Sequence, residues 1–149
     1  MTQLAALPIL LVLVAGGMIA LQAPTNAILA RAGGSPVLAA LISFAVGTVT
    51  LLLVWFASGN RPRPAVFGGL PAYAWFGGAY GALYVAVAAY AAPKVGLAAL
   101  ITIGIAGQIA MALMLDHFGA LGLPREPINL GRAAGALLVI VGVVLVRRS

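Results

Sequence analysis

Gln22 and Asn26 lie four residues apart in LQAPTNAILA, with Pro24 and Thr25 between them and no acid or base in the stretch. On a helix that spacing puts both amides on one face, about one turn from each other. Pro24 has no N–H to offer the carbonyl of Ala20, which predicts a freed acceptor beside the amides and a kink. Uncharged donors and acceptors of this kind can hold a small polar solute. They can equally bond one helix to another, at roughly 0.6 to 2 kcal/mol each in a membrane. Both readings stand for this pair.

Gln108 poses the same choice more sharply, because it sits in the middle of ITIGIAGQIAMALML, the most apolar surroundings of any polar residue here. Gly104, Gln108, Ala112 and Asp116 recur every four residues, a stripe whose small residues would let a neighbouring helix or a solute approach the backbone. Tyr80 and Tyr84, with Tyr73, Gly77 and Gly81, make another face, where a hydroxyl needs a partner and a ring can stack on a flat solute. Ser43 lies on a third, with Ala39, Gly47 and Thr50. Candidate solute contacts are therefore Gln22, Asn26, Ser43, Tyr80, Tyr84 and Gln108.

Asp116 and His117 end the LMLDHF segment. A helix C-terminus disfavours the anion and favours the imidazole, so Asp116 calls for a compensating cation, and Arg125 and Arg132 are within reach in sequence. Either a surface salt bridge or a gating and proton-coupling role fits the two residues. Catalysis does not: adjacent helical residues point about 100° apart, and no Ser or Cys nucleophile is suggested nearby. Cysteine is absent, and one histidine with two acids builds no metal centre. No enzyme and no cofactor are expected.

The elements carrying these side chains must be membrane helices. Apolar residues make up 64% of the chain, charged residues 7%, and mean hydropathy is +1.17, well outside the range of soluble domains. Each crossing takes about 20 residues, and runs between Gly-, Pro- and charge-rich dividers give five spans, at 4–30, 36–57, 71–92, 95–115 and 128–146. They fill a single transmembrane domain over 1–149. Pro36 and Pro71 stand where a first helical turn tolerates proline, and the runs lack the alternation of β-barrel strands. The first run has no basic n-region and is too long for a cleavable signal peptide. The net charge of +6 is dispersed over span ends, which suits head-group anchors and not nucleic acid.

Five crossings put the termini on opposite sides. Arg61, Arg63, Arg125 and Arg132 then fall on one side, and Arg31, Lys94, Arg147 and Arg148 on the other. Orientation follows the Lys/Arg excess in short loops, and here there is none. The tie points to insertion both ways, giving an antiparallel dimer of ten helices with an inverted two-fold axis in the membrane plane; a tie by chance, with orientation set by a partner, is the other reading. Gly77 and Gly81 form a GxxxG, and Gly131, Gly135 and Gly142 line the last span, all permitting close helix contact.

The segments QAPTNAILAR, SFAVGT, FGGAYGALYV, APKVGLAAL, GQIAMALMLDHFG and GRAAGALLVIVGVVLV resemble the small five-helix YdcZ-like membrane family. The second half of the chain, ending in a helix with Gly135 and Gly142, is similar to the wider drug/metabolite transporter superfamily. The resemblance implies a multi-pass protein of the bacterial inner membrane, working as an antiparallel dimer or beside a homologous sister subunit, with the last helix joining protomers. It implies no particular solute. Related small multidrug exporters carry a glutamate in their first helix, and this chain has no carboxylate there, so their cation/proton exchange is not carried over.

The expected function is a secondary transporter of a small neutral or anionic organic solute, aromatic ones included, working by alternating access. A non-transporting accessory subunit whose polar residues only pack helices is the alternative.

Overall fold

The computed structural model describes residues 6–59, 61 and 67–148. Arg63 and the first residues of the predicted span 4–30 lie outside the described residues. The described residues form helices and turns without strands. Five α-helices follow in order: α1 (Ala6–Gly33), α2 (Pro36–Ala57), α3 (Gly77–Val95), α4 (Leu97–Phe118) and α5 (Leu130–Arg148). They fall into two compact units, one up to Lys94 and one from Val95 onward.

In the first unit α1 turns into α2 through two residues that leave little choice. Gly34 takes φ +69°, a conformation costly for any residue with a Cβ. Ser35 then caps α2, its Oγ accepting from the N–H of Leu38 at 3.2 Å, and Pro36 stands at the first turn, as its sequence position suggests. The buried residues are nearly all small. Ala23, Ala27 and Ala30 of α1, Ala39 and Ala40 of α2, and Val85, Ala88, Ala89 and Ala92 of α3 are buried, with Ala30, Ala39 and Ala89 meeting in one cluster. Their i, i+3, i+4 spacing makes a narrow seam that lets backbones come close. Large apolar side chains such as Leu11, Leu13, Val37, Leu51 and Leu83 point outward, where hydrocarbon rather than protein satisfies them.

The start of α3 differs from the span expected at Pro71. Pro71 is extended (φ −65°, ψ 146°) and leads into a single 3-10 turn, Ala72–Trp75, closed by the N–H of Phe76 on the Tyr73 carbonyl. The α-helix begins only at Gly77. Tyr73 therefore does not share a helical face with Tyr80 and Tyr84. The break expected at Pro93–Lys94 also moves: α3 continues through both residues, and Gly96, at φ +81°, interrupts the chain instead. Proline in a last turn costs a helix little beyond one hydrogen bond, whereas a positive φ ends it. Pro24 likewise lies inside an uninterrupted α1. The Thr25 hydroxyl donates to the carbonyls of Leu21 (3.1 Å) and Gln22 (2.9 Å), which occupies acceptors beside the proline.

In the second unit α4 runs three residues past its expected end and stops at Gly119, whose left-handed backbone (φ 61°) brings its N–H to the Asp116 carbonyl, as a helix C-cap glycine does. A 3-10 turn, Ala120–Gly122, follows. Asn129 opens α5, its Oδ1 accepting from the N–H of Arg132 at 2.9 Å, and α4 and α5 pack on each other. Among the described residues four helices, α1, α2, α4 and α5, are long and apolar enough to cross a membrane. The helix α3, at 19 residues, is diluted by Tyr80, Tyr84, Tyr90 and three glycines.

Candidate functional site

The first unit gathers three of the expected solute contacts along the seam between α1 and α2. Gln22 is half-buried, and its Nε2 lies 3.5 Å from Ser43 Oγ, the long limit of a hydrogen bond. One turn on, Asn26 is only 3% exposed, and its Nδ2 has no hydrogen-bond partner among the described residues. A buried donor left without an acceptor costs on the order of 1–3 kcal/mol, so native proteins rarely keep one without a use. No carboxylate occurs anywhere in this unit, since the chain's only two acids are Asp116 and Glu126.

Tyr80 and Tyr84 lie on a different face of α3 from the buried Val85–Ala92 stripe. They are 65% and 37% exposed, so the Tyr80 ring stands largely open while Tyr84 is partly covered within its own unit. Of the two glycines of the GxxxG on this helix, Gly81 faces α2 closely: a Cβ there would stand 3.1 Å from Phe44 Cζ, whereas one on Gly77 would meet nothing within 4 Å. In the second unit Gln108 is exposed midway along α4. Gly135 and Gly142 on α5 have open space where a side chain would project, and Gly131 sits beside Asn129 Oδ1 at 3.4 Å.

Asp116 and His117 belong to a knot of hydrogen bonds that closes the α4–α5 loop. Arg132 Nη1 donates to Asp116 Oδ2 at 3.2 Å and to the Glu126 carbonyl at 3.2 Å, while Nη2 pairs with the Glu126 carboxylate. The N–H of Glu126 reaches the Asp116 carbonyl at 2.8 Å. Arg125 Nε donates to the His117 carbonyl at 3.2 Å, and His117 Nδ1 accepts from the N–H of Ile128 at 3.2 Å. An imidazole that accepts at Nδ1 carries its proton on Nε2. Of the two arginines expected to compensate Asp116, Arg132 pairs with it and Arg125 ties down the neighbouring backbone.

Sequence reasoning passed over Asn129 and Glu126 in this knot. Asn129 carried a readable signal, a capping residue directly before an apolar run. Glu126 did not, because its place depends on the path of an irregular loop.

Long apolar helices, uncharged polar groups along the α1–α2 seam, and charged side chains at helix ends and in the α4–α5 loop are the build of a multi-pass membrane protein. The model of the family described as "Putative inner membrane exporter, YdcZ" matches residues 7–145, nearly the whole chain. The chain belongs to the YdcZ family and is a multi-pass inner membrane protein, as the sequence segments suggested. Comparisons with curated proteins and with solved structures gave no significant match.

Proposed function

We propose that the protein is a secondary transporter for a small neutral or anionic organic solute, aromatic ones included, and that all five helices cross the membrane. The observation that carries this reading is Asn26, a buried amide donor without an acceptor, one turn from Gln22 and Ser43 in a unit devoid of carboxylates. A donor in that setting favours a solute that brings acceptors. A permanent cation would find no counter-charge there, because both acids are engaged by Arg132.

Two oppositely inserted copies, or one copy and a sister subunit, would meet through the open faces of Gly77, Gly135 and Gly142 and the exposed Gln108, Tyr80 and Tyr84. Rocking of the two protomers about an axis in the membrane plane would expose the amides alternately to each side. In this scheme Asp116 and His117 hold the end of the α4–α5 hairpin, and coupling through them would require the knot to open during the cycle.

The alternative, an accessory subunit, is supported by the direct Gln22–Ser43 contact, which is what helix glue looks like. Purified protein in liposomes decides between them. Counterflow of neutral or anionic metabolites, without uptake of quaternary ammonium compounds, supports the proposal. Uptake of quaternary ammonium compounds alone sinks the solute class, and no flux of either kind favours the accessory role. Gln108→Leu adds a second reading: normal assembly with lost flux marks a solute contact, failed assembly marks glue.

A further inference from the structure

Arg31 and Lys94 stand far apart in the chain, one in the last turn of α1 and one in the last turn of α3. The fold of the first unit brings both into the lining of one crevice of about 260 Å³, with Ala27, Ala30, Gly34, Pro36, Ala89, Tyr90 and Pro93. Lys94 Nζ rests 3.5 Å from the centre of the Tyr90 ring, a cation–π contact that holds the ammonium against the crevice lining. Neither cation has a carboxylate partner among the described residues, both acids being bound by Arg132 in the other unit.

A bland account exists for each cation by itself, since a base in a last helical turn complements the macrodipole. It does not account for the crevice. Alanine and proline walls at the junction of three helix ends leave open a cleft with apolar sides, lined also by two cations that have no carboxylate partner among the described residues. The N-terminus of α2 enters the same space through Pro36, its partial positive charge set against the partial negative charges at the ends of α1 and α3, so the two side-chain cations carry the attraction for an anion. The alanine side chains offer no hydrogen bond of their own and accommodate a hydrocarbon stem.

We propose that this crevice binds a compact oxyanion, a phosphate or carboxylate group, at the membrane surface. The group can come from the head of an anionic phospholipid, its chain following the alanine wall, or from a free anion in solution. The site is independent of the transport reading, because its residues are not among the amides and tyrosines assigned to the solute.

The test measures thermal stability of the detergent-purified protein as it is titrated with phosphatidylglycerol, with phosphatidylcholine of the same chains, and with inorganic phosphate. Preferential stabilisation by phosphatidylglycerol, weakening as salt is raised, is the expected result. Saturation by inorganic phosphate in the same range assigns the site to a free anion and still supports it. Arg31→Gln and Lys94→Gln should each weaken binding roughly fivefold, and the two together about 25-fold, whereas Arg31→Lys with Lys94→Arg retains most of it. Arg147→Gln with Arg148→Gln, which removes as much charge outside the crevice, should leave it unchanged. Equal stabilisation by phosphatidylcholine, no response to either anion, or an equal loss in the Arg147/Arg148 variant overturns the proposal. The lipid preference and its salt dependence are read on the unmodified protein, so they stand even if a variant fails to fold.

Discussion

Arg132, on the first turn of α5, holds the carboxylates of both Asp116 and Glu126, reaching the first with Nη1 3.2 Å from Oδ2. The three side chains are partly exposed, so each ion pair alone is worth under about 1 kcal/mol. Removing the shared cation leaves two acids facing each other at the end of α4, where the macrodipole already opposes negative charge. Arg132→Gln should therefore lower stability by about 1–2 kcal/mol, more than Asp116→Asn or Glu126→Gln. Thermal unfolding of the three variants in one detergent gives the order; an Asp116→Asn loss as large as that of Arg132→Gln would contradict it.

His117 acts in the same loop through an acceptor, Nδ1, on the N–H of Ile128. Asparagine can place a carbonyl oxygen near that position and alanine cannot. His117→Ala should free the loop by the worth of about one hydrogen bond, ~1 kcal/mol, and speed trypsin cleavage after Arg125 severalfold, with His117→Asn close to wild type. If both variants cleave at the wild-type rate, the imidazole is not what anchors the loop.

The glycines of α3 should separate cleanly. A methyl at Gly81 would come 3.1 Å from Phe44 Cζ, and one at Gly77 meets open space within the chain. Gly81→Val is expected to cost about 1–3 kcal/mol as an overpacked contact and to recover in part when combined with Phe44→Leu. Gly77→Ala leaves the fold of the unit alone. A change in its cross-linked dimer fraction in membranes would place Gly77 at a contact between protomers.

How far the sequence revealed this depended on range. The shared face of Gln22 and Asn26, the turn at Gly34–Ser35–Pro36 and the membrane class follow from periodicity, capping chemistry and hydropathy, all local properties. Pro71 misled because a proline that suits a helical first turn suits a 3-10 turn as well. Pro93 misled because helix termination was decided by the backbone of Gly96, three residues on. Of the loop knot, the need of Asp116 for a cation was legible, and the choice between Arg125 and Arg132 was not, since it is made by the loop's path. The crevice between Arg31 and Lys94 could not be read at all: only the packing of α1, α2 and α3 through their alanines joins these residues.

The basic residues predict insertion behaviour as well. Four fall on each side if all five helices cross, and a pair at the C-terminus, Arg147 and Arg148, is needed for the tie. Replacing both by Gln should bias the protein toward the orientation with Arg61, Arg63, Arg125 and Arg132 inside. Reporters fused to the C-terminus, active on only one side of the membrane, would show two populations in the wild type and mostly one in the variant. A single population in the wild type would remove the case for dual insertion.

Asn26 provides the sharpest division between solute contact and glue. Its side chain is almost fully buried, yet Nδ2 has no hydrogen-bond partner among the described residues, so these residues bear the desolvation of a donor without return. Leucine has nearly the same shape and no polar atom, and such a replacement of an unsatisfied group is neutral or stabilising. Asn26→Leu should therefore unfold at the wild-type temperature or above it, while counterflow in liposomes falls at least tenfold because the solute loses its donor. Sites that trade stability for activity behave in this way. If Asn26→Leu is instead destabilised by more than about 1 kcal/mol, in proportion to its loss of flux, the amide has a structural partner and belongs to the packing of the assembled protein.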